Sequence, residues 1–424
     1  MWDLNGMEYY WGILPPLVEA FTLWIANTSS MFPYRLLNAL VGSLTIYVIY
    51  RIVLEHFKSK ALAAVASAIA TAWPSLLIFS TYGLTETLGI FFLLLAVFYY
   101  NKRDYVFGVL LGLASMCRIE FWFLALGLIA CYLLFELSVM HLTPALAGWL
   151  TVMLPYILHI RAQTGDPFYP VYWNFFGTVL RQWEPQYALT WDTIFYRTLW
   201  LVVAGASVVI VLILMKRRPN GYIVYALFLG YLFFQGVNAT LSLQGALVNV
   251  RYILDRFMML DYLFLSILLS LLFLRMNRIK IPRLRISIQL VYGAMLVGLC
   301  VLAYASFIPY HAGQEEMKYF HEVSGWLVEH YEGGTILCNI PMLNYWLIQD
   351  GIDGRNIVGT IYISHENSAT AREWLKSHDV RWFVLTKYSF DDSGGFYDFL
   401  RLSGESLPFQ TEYERDMISI LSVS

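Results

Sequence analysis

The sequence predicts a polytopic α-helical membrane protein of about ten spans with one outer interfacial helix, followed by a small extracytoplasmic α/β domain. Three observations carry this reading. The 424 residues are 58% hydrophobic and only 14% charged, with a mean hydropathy of +0.57. Soluble domains carry roughly a quarter charged residues. The apolar residues fall into runs near the length a bilayer demands, about 20 residues for a hydrocarbon core of about 30 Å. The charge divides along the chain: residues 1–308 hold 20 Lys+Arg against 13 Asp+Glu, and residues 309–424 hold 8 against 17. Two regions of opposite charge and different hydropathy mark a membrane body over 1–308 and an acidic soluble domain over 309–424. The same composition excludes a disordered chain, and four cysteines exclude a disulfide scaffold.

Ten runs qualify as spans: 37–54, 61–79, 84–100, 105–117, 120–137, 142–160, 198–215, 221–240, 256–274 and 286–308. The fourth and fifth are read as two helices despite Arg118 and Glu120 between them; one broken helix is the alternative. Lys and Arg collect in cytoplasmic loops. Alternate connections (51–60, 101–104, 138–141, 216–220 and 275–285) hold 13 basic residues, whereas the longer opposite side holds seven, all Arg. The first set is therefore cytoplasmic, and the region after 308 is outside. Residues 11–27, with Pro15-Pro16, Glu19 and flanking Trp and Tyr, suit a helix lying in the outer interface better than a span. An outer N-terminus with no leading span predicts a first transmembrane helix upstream of Met1.

Beyond residue 309 the pattern shortens and alternates. Helices are expected at 314–331, 342–349, 368–377 and 395–403, with strands at 335–338, 356–359, 380–386, 409–413 and 417–423. That alternation predicts a small α/β sandwich. It contains no phosphate-loop or dinucleotide glycine pattern, so docking or covering, rather than catalysis, is its expected role.

Ionisable groups at membrane depth are expensive and mark function by default. The outer rim concentrates them: Asp3 and Glu8 before the interfacial helix, Glu86 at a span start, and Arg118 with Glu120 at a junction. Arg161 and Asp166 open the long outer loop, and Arg251, Asp255, Arg256 and Asp261 surround the start of span 256–274. The planar Arg fork suits bidentate phosphate binding, and a nearby carboxylate can take a hydroxyl proton. Plainer readings stand beside these. Arg118 and Glu120 can pair with one another, Glu86 can offset a helix dipole, Arg251 and Arg256 can anchor at the interface, and Asp3 can be a solvated terminus. Histidines show no ligand spacing, so no metal or other cofactor is expected.

Four stretches together resemble the GT-C superfamily of membrane glycosyltransferases, above all its protein O-mannosyltransferase and aminoarabinose-transferase branch. They are Trp2-Asp3-Leu4-Asn5-Gly6 through Pro15-Pro16-Leu17, Tyr34 through Gly42, Pro74 through Glu86 with Gly108, Gly112 and Arg118-Ile119-Glu120, and Thr164 through Pro170 followed by Arg251-Tyr252. The resemblance covers about residues 1–310. It implies transfer of a sugar, mannose-like, from a polyprenyl-phosphate donor to a lipid, glycan or protein acceptor, with inversion and a carboxylate base. Asp3 or Glu8 takes the catalytic position. Arg118, Glu120, Glu86, Arg251, Tyr252 and Arg256 take the substrate-binding ones. The family places its catalytic acid shortly after a first span, which this sequence lacks, so that residue is also expected upstream of Met1. Membrane lipids are the other expected partners, nucleic acid is not one, and the compact chain suggests a prokaryotic plasma membrane. The rival class is a non-catalytic carrier or flippase of lipid-linked sugars. Carriers show internal repeats and mid-span breaks, and this sequence shows neither.

Overall fold

The computed structural model describes residues 12–28, 30–73, 85–134, 138–171, 314–338, 341–358, 376–386, 409–415 and 418–423, with isolated helical positions at 76, 80, 81, 263, 266, 267, 269, 270, 286, 294, 297, 298 and 301. The body opens with α1 (Leu14–Ala26), α2 (Phe32–Phe57), α3 (Lys60–Ala72), α4 (Thr85–Tyr99), α5 (Asp104–Ser115), α6 (Glu120–Leu134) and α7 (Val139–Thr164). α2 and α7, the latter to Ala162, are long and apolar enough by length and composition to cross a membrane. Each carries an exposed apolar ridge at helical spacing: Leu36, Leu40 and Leu44 on α2, and Leu146, Leu150, Leu154 and Leu158 on α7. Such stripes suit contact with lipid.

Local chemistry sets the helix limits. α2 begins at Phe32, five residues before the expected span, because Pro33 fits the first helical turn. α3 stops at Ala72, well short of the expected 79, because Trp73 is extended ahead of Pro74. The Trp73 indole donates to Ser266 Oγ at 2.8 Å, tying this corner to the stretch around 263–270. The chain does break between α5 and α6, over residues 116–119. At 12 residues, α5 rises only about 18 Å, which is short of a bilayer core. Expected spans 198–215 and 221–240 lie outside the described residues, and 256–274 and 286–308 are represented only by isolated helical positions.

α5 and α7 pack with backbones almost touching. A Cβ on Gly108 would lie 1.9 Å from the Ala145 carbonyl, and one on Gly148 would lie 2.2 Å from the Tyr105 carbonyl. Glycine is required at both for this approach, the small-residue packing of membrane helices. The helices alternate in direction, so the described body has two ends. At one end gather the start of α2, α4 and α6, with the 116–119 break. At the other, Lys102 reaches Glu55 at 2.5 Å and Asp104 meets His141 at 2.7 Å.

The C-terminal region holds α8 (Gln314–His330), β1 (Thr335–Cys338), α9 (Pro341–Gln349), a 3-10 turn (Gly354–Asn356), β2 (Ile357–Val358), β3 (Val380–Thr386), β4 (Phe409–Arg415) and β5 (Ile418–Val423). Strand order is β2-β1-β3-β5-β4. β1 pairs parallel with β2 and β3, in register Ile336 to Ile357 and Ile336 to Trp382. β5 lies antiparallel between β3 and β4, with Thr386 opposite Ile418. Alternate residues Ile336, Cys338, Trp382, Val384, Ile418 and Ile420 pack under α8 and α9 through Val323, Leu327, Leu343 and Leu347. Leu337 and Phe383, on the opposite face, are buried too. The expected strands all form. Of the expected helix 368–377 only 376–377 is described, and 395–403 lies outside the described residues.

Candidate functional site at the Arg118 end

The sequence-predicted residues Glu86, Arg118 and Glu120 come together. Glu86 sits in the first turn of α4, Arg118 in the α5–α6 break, and Glu120 opens α6. Arg118 Nη1 donates to Glu86 Oε1 at 2.5 Å, while Nε and Nη2 donate to the two oxygens of Glu120 at 3.0 and 2.7 Å. The side chains of Arg118, Glu86 and Glu120 are 7, 3 and 12% exposed. The Arg118–Glu120 contact is the fork-on-carboxylate geometry that gives Arg its strongest pairs. Among the described residues, two carboxylates share one guanidinium in a nearly dry place. Desolvating such charges costs several kcal/mol per ion before pairing offsets it. Thr85 Oγ1 donates to Glu86 Oε2 at 3.3 Å.

The break that carries Arg118 is held by specific bonds. Ser115 Oγ donates to the carbonyls of Leu111 and Phe121 at 2.9 and 3.3 Å, and accepts from the Trp149 indole at 3.2 Å. The Trp122 indole donates to the Ser115 carbonyl at 2.9 Å. These bonds satisfy backbone groups that the end of α5 would leave open.

α1 docks on the same break. Leu14 N donates to the Met116 carbonyl at 3.0 Å. Gly12, at φ +85°, lies so close that a Cβ there would be 2.3 Å from the same carbonyl oxygen. Along α1, Leu17, Phe21, Trp24 and Ile25 form an exposed apolar face. Pro15, Val18, Glu19 and Thr22 recur on the other face, with Pro15 buried and Val18 packed against the body's core. A 13-residue helix with one apolar open face and one docked face has the two-sided form expected of a helix lying in an interface. Glu19 is half-buried on the docked side, and burial pushes its carboxyl up to about 7. Tyr34, buried in the first turn of α2, stands within electrostatic reach of Glu19, Cys117 and Glu86.

The other predicted residues fall elsewhere. Arg161 lies exposed in the last turn of α7, and exposed Asp166 closes a turn by accepting from Phe168 N at 2.8 Å. Both are at this end of the bundle but outside the cluster. Asp3, Glu8, Arg251, Tyr252, Asp255, Arg256 and Asp261 lie outside the described residues. Sequence reading did not single out Glu19 or Tyr34 for the site. Periodicity held the signal for Glu19, which stands opposite the Leu17, Phe21 and Trp24 face. Among the described residues, no group of three or more His, Cys, Asp and Glu forms a metal site.

Comparison with known proteins bears on the same region. Residues 5–154 match the family model of dolichyl-phosphate-mannose-protein mannosyltransferase, a stretch that contains the whole Glu86–Arg118–Glu120 cluster and α1. No curated protein matches the sequence. Among solved structures, the fold is similar to ArnT from Cupriavidus metallidurans, bound there to undecaprenyl phosphate. That similarity has a TM-score of 0.51 at 12% identity and covers 98% of this chain and 88% of the other. The sequence match over residues 5–154 and the fold match both agree with the resemblance read from the motifs.

Proposed function

We propose that the protein transfers a sugar from a polyprenyl-phosphate donor to an acceptor hydroxyl at the outer membrane face. The observation that carries this is the buried Glu86–Arg118–Glu120 cluster, beneath a docked interfacial helix and inside the stretch matching the mannosyltransferase family. The bound undecaprenyl phosphate of the ArnT structure supports the class of donor. The basic residues at the Asp104 end of the bundle orient the Arg118 end outward by the charge rule. On this reading residues 1–308 form the transmembrane domain in a prokaryotic plasma membrane, and residues 309–424 form an extracytoplasmic domain.

The chemistry is a single displacement with inversion. The acceptor oxygen attacks the anomeric carbon as the bond from that carbon to the phosphate oxygen breaks. The lipid phosphate leaves as an anion that needs no protonation. A carboxylate at the outer face takes the hydroxyl proton, and Asp3 and Glu8 are the candidates that the sequence offers for it. Arg118, Arg251, Tyr252 and Arg256 form the rim that attracts the phosphate. Arg118 turns its fork to two carboxylates, so a phosphate reaches it only by displacing one of them. Its second role is to fix Glu86 and Glu120 for sugar hydroxyls. The family match supports a mannose-like sugar, and the acceptor is a lipid, glycan or protein hydroxyl.

The test uses the purified full chain in lipid nanodiscs with undecaprenyl-phosphate mannose bearing a radiolabelled sugar, and solubilised membranes as acceptor source. Release of undecaprenyl phosphate with label moving to an acceptor is the expected result. Reconstituted protein that moves the intact donor across vesicles without cleaving it would favour a carrier and overturn the transferase reading.

A further inference from the structure

Glu19 is the ionisable group that the site described so far leaves without a task. It lies on the docked stripe of α1, between Pro15 and Thr22, and it faces the body rather than the open apolar side. Among the described residues it has no hydrogen-bond or ion-pair partner. A carboxyl group buried for structural reasons is ordinarily hydrogen-bonded. Tyr34, from α2, stands within electrostatic reach of Glu19, and the same tyrosine is within reach of Cys117 in the α5–α6 break and of Glu86 in α4. Glu86 in turn is held by Arg118, whose fork also meets Glu120.

The helix that carries Glu19 is placed with care. The Leu14 N–H bond to the Met116 carbonyl and the tight seat of Gly12 fix the start of α1 to the residue two positions before Arg118. Leu17, Phe21, Trp24 and Ile25 give the opposite face a reason to lie in the outer leaflet. The carboxyl is thereby held at the level where a lipid phosphate head group and a polar acceptor meet.

We infer that Glu19 is a catalytic residue of the proposed transfer, accepting the proton of the acceptor hydroxyl beside Tyr34. This rests on the transferase reading above and assigns its proton step to a carboxylate whose surroundings are known. As the acceptor oxygen bonds to the anomeric carbon, its proton passes to a Glu19 carboxylate oxygen. The electron pair of the breaking bond leaves on the lipid phosphate. Ionised Glu19 is the active form, and its proton returns to water after product departs. A carboxyl with a pKa near operating pH is well matched to such a task, and burial brings Glu19 to about 7. Asp3 and Glu8 then act on substrate binding rather than on the proton.

The experiment compares the wild type, Glu19→Gln and Glu19→Asp as full chains in nanodiscs, with undecaprenyl-phosphate mannose as probe. Glu19→Gln is expected to lower kcat by about 100-fold or more, the usual worth of a positioned base, with donor KM changed less than about threefold. Its remaining rate loses the acidic limb of the pH profile, and Glu19→Asp keeps most of that limb. Glu19→Gln turning over within about threefold of wild type, with an unchanged profile, overturns the assignment while leaving the transferase reading intact. A second readout needs no turnover. Infrared difference spectra of wild type against Glu19→Gln, without donor, should show a protonated-carboxyl band that titrates near 7. A midpoint at the ordinary 4.5 removes the inference on structural grounds. Wild-type protein that shows the shifted band yet cleaves no donor overturns the transferase reading and the catalytic role with it.

Discussion

The two ends of the helical body use the same kinds of groups under opposite conditions. At the Arg118 end, three charged side chains sit almost dry and join α4 to the start of α6. At the Asp104 end, Asp104 accepts from Tyr132 Oη at 2.6 Å and meets His141 Nδ1 at 2.7 Å, joining α5, α6 and α7. There the His141 side chain is 46% exposed, and the nearby Lys102–Glu55 pair is exposed as well. Lys102 Nζ also lies 3.6 Å from the Phe98 ring centroid. Exposed pairs gain little and cost little. A buried trio of charges is costly to desolvate, and the bundle keeps it where α1 docks. The wet end fastens helices together at little cost, whereas the dry end keeps paired charges away from water.

The sharpest way to break this contrast is Arg118→Met. It removes the guanidinium that Glu86 and Glu120 share, and should destabilise the chain by about 3–5 kcal/mol. Thermal unfolding in detergent checks it, and a loss under about 1 kcal/mol would mean that the dry end is wetter than described. Next comes the pH response of α1. The folded Glu19 pKa lies above its ordinary value, so docking is fully favoured below 4.5 and weakens as pH rises through about 7. The protection of residues 14–26 against amide exchange, with the intrinsic pH dependence of the exchange chemistry divided out, should fall on the order of tenfold across that window. Glu19→Gln should flatten the response, and a flat wild-type profile would place the carboxyl in water.

Smaller effects belong to the wet end. Asp104→Asn removes a charged acceptor from Tyr132 and His141 and should cost about 1 kcal/mol in the same unfolding assay. A cost matching that of Arg118→Met would erase the difference between the ends. Lys102→Ala should cost at most about 1 kcal/mol, and high salt should reduce even that.

How much of this was legible in the sequence follows the range of the forces involved. The strands at 335–338 and 380–386 were readable because alternation of apolar residues is local, and their register follows from which face is buried. The end of α3 at Ala72 was readable in principle from Pro74, but the apolar run past it masked the stop. Pro144 and Pro155 sit inside α7 without ending it, since neighbouring helices hold its course. Glu86, Arg118 and Glu120 were found because charge in an apolar run is conspicuous. Their mutual geometry was not, because 32 positions separate Arg118 from Glu86 and only packing brings them together. Asp104, Tyr132 and His141 escaped notice for a related reason. Each is ordinary at a helix end, and only tertiary contact makes them a set.

The near-contact of α5 with α7 also bears on how the chain enters a membrane. A 12-residue helix rising about 18 Å is too short to partition into lipid as a unit. Its glycines at 108 and 112 offer lipid little surface and offer the backbone of α7 a close seat. Synthesis delivers α5 and α6 before the residues that sheathe them. The close seat that such a short helix needs is supplied by Ala145, Gly148 and Val152 of α7, which follow it in the chain.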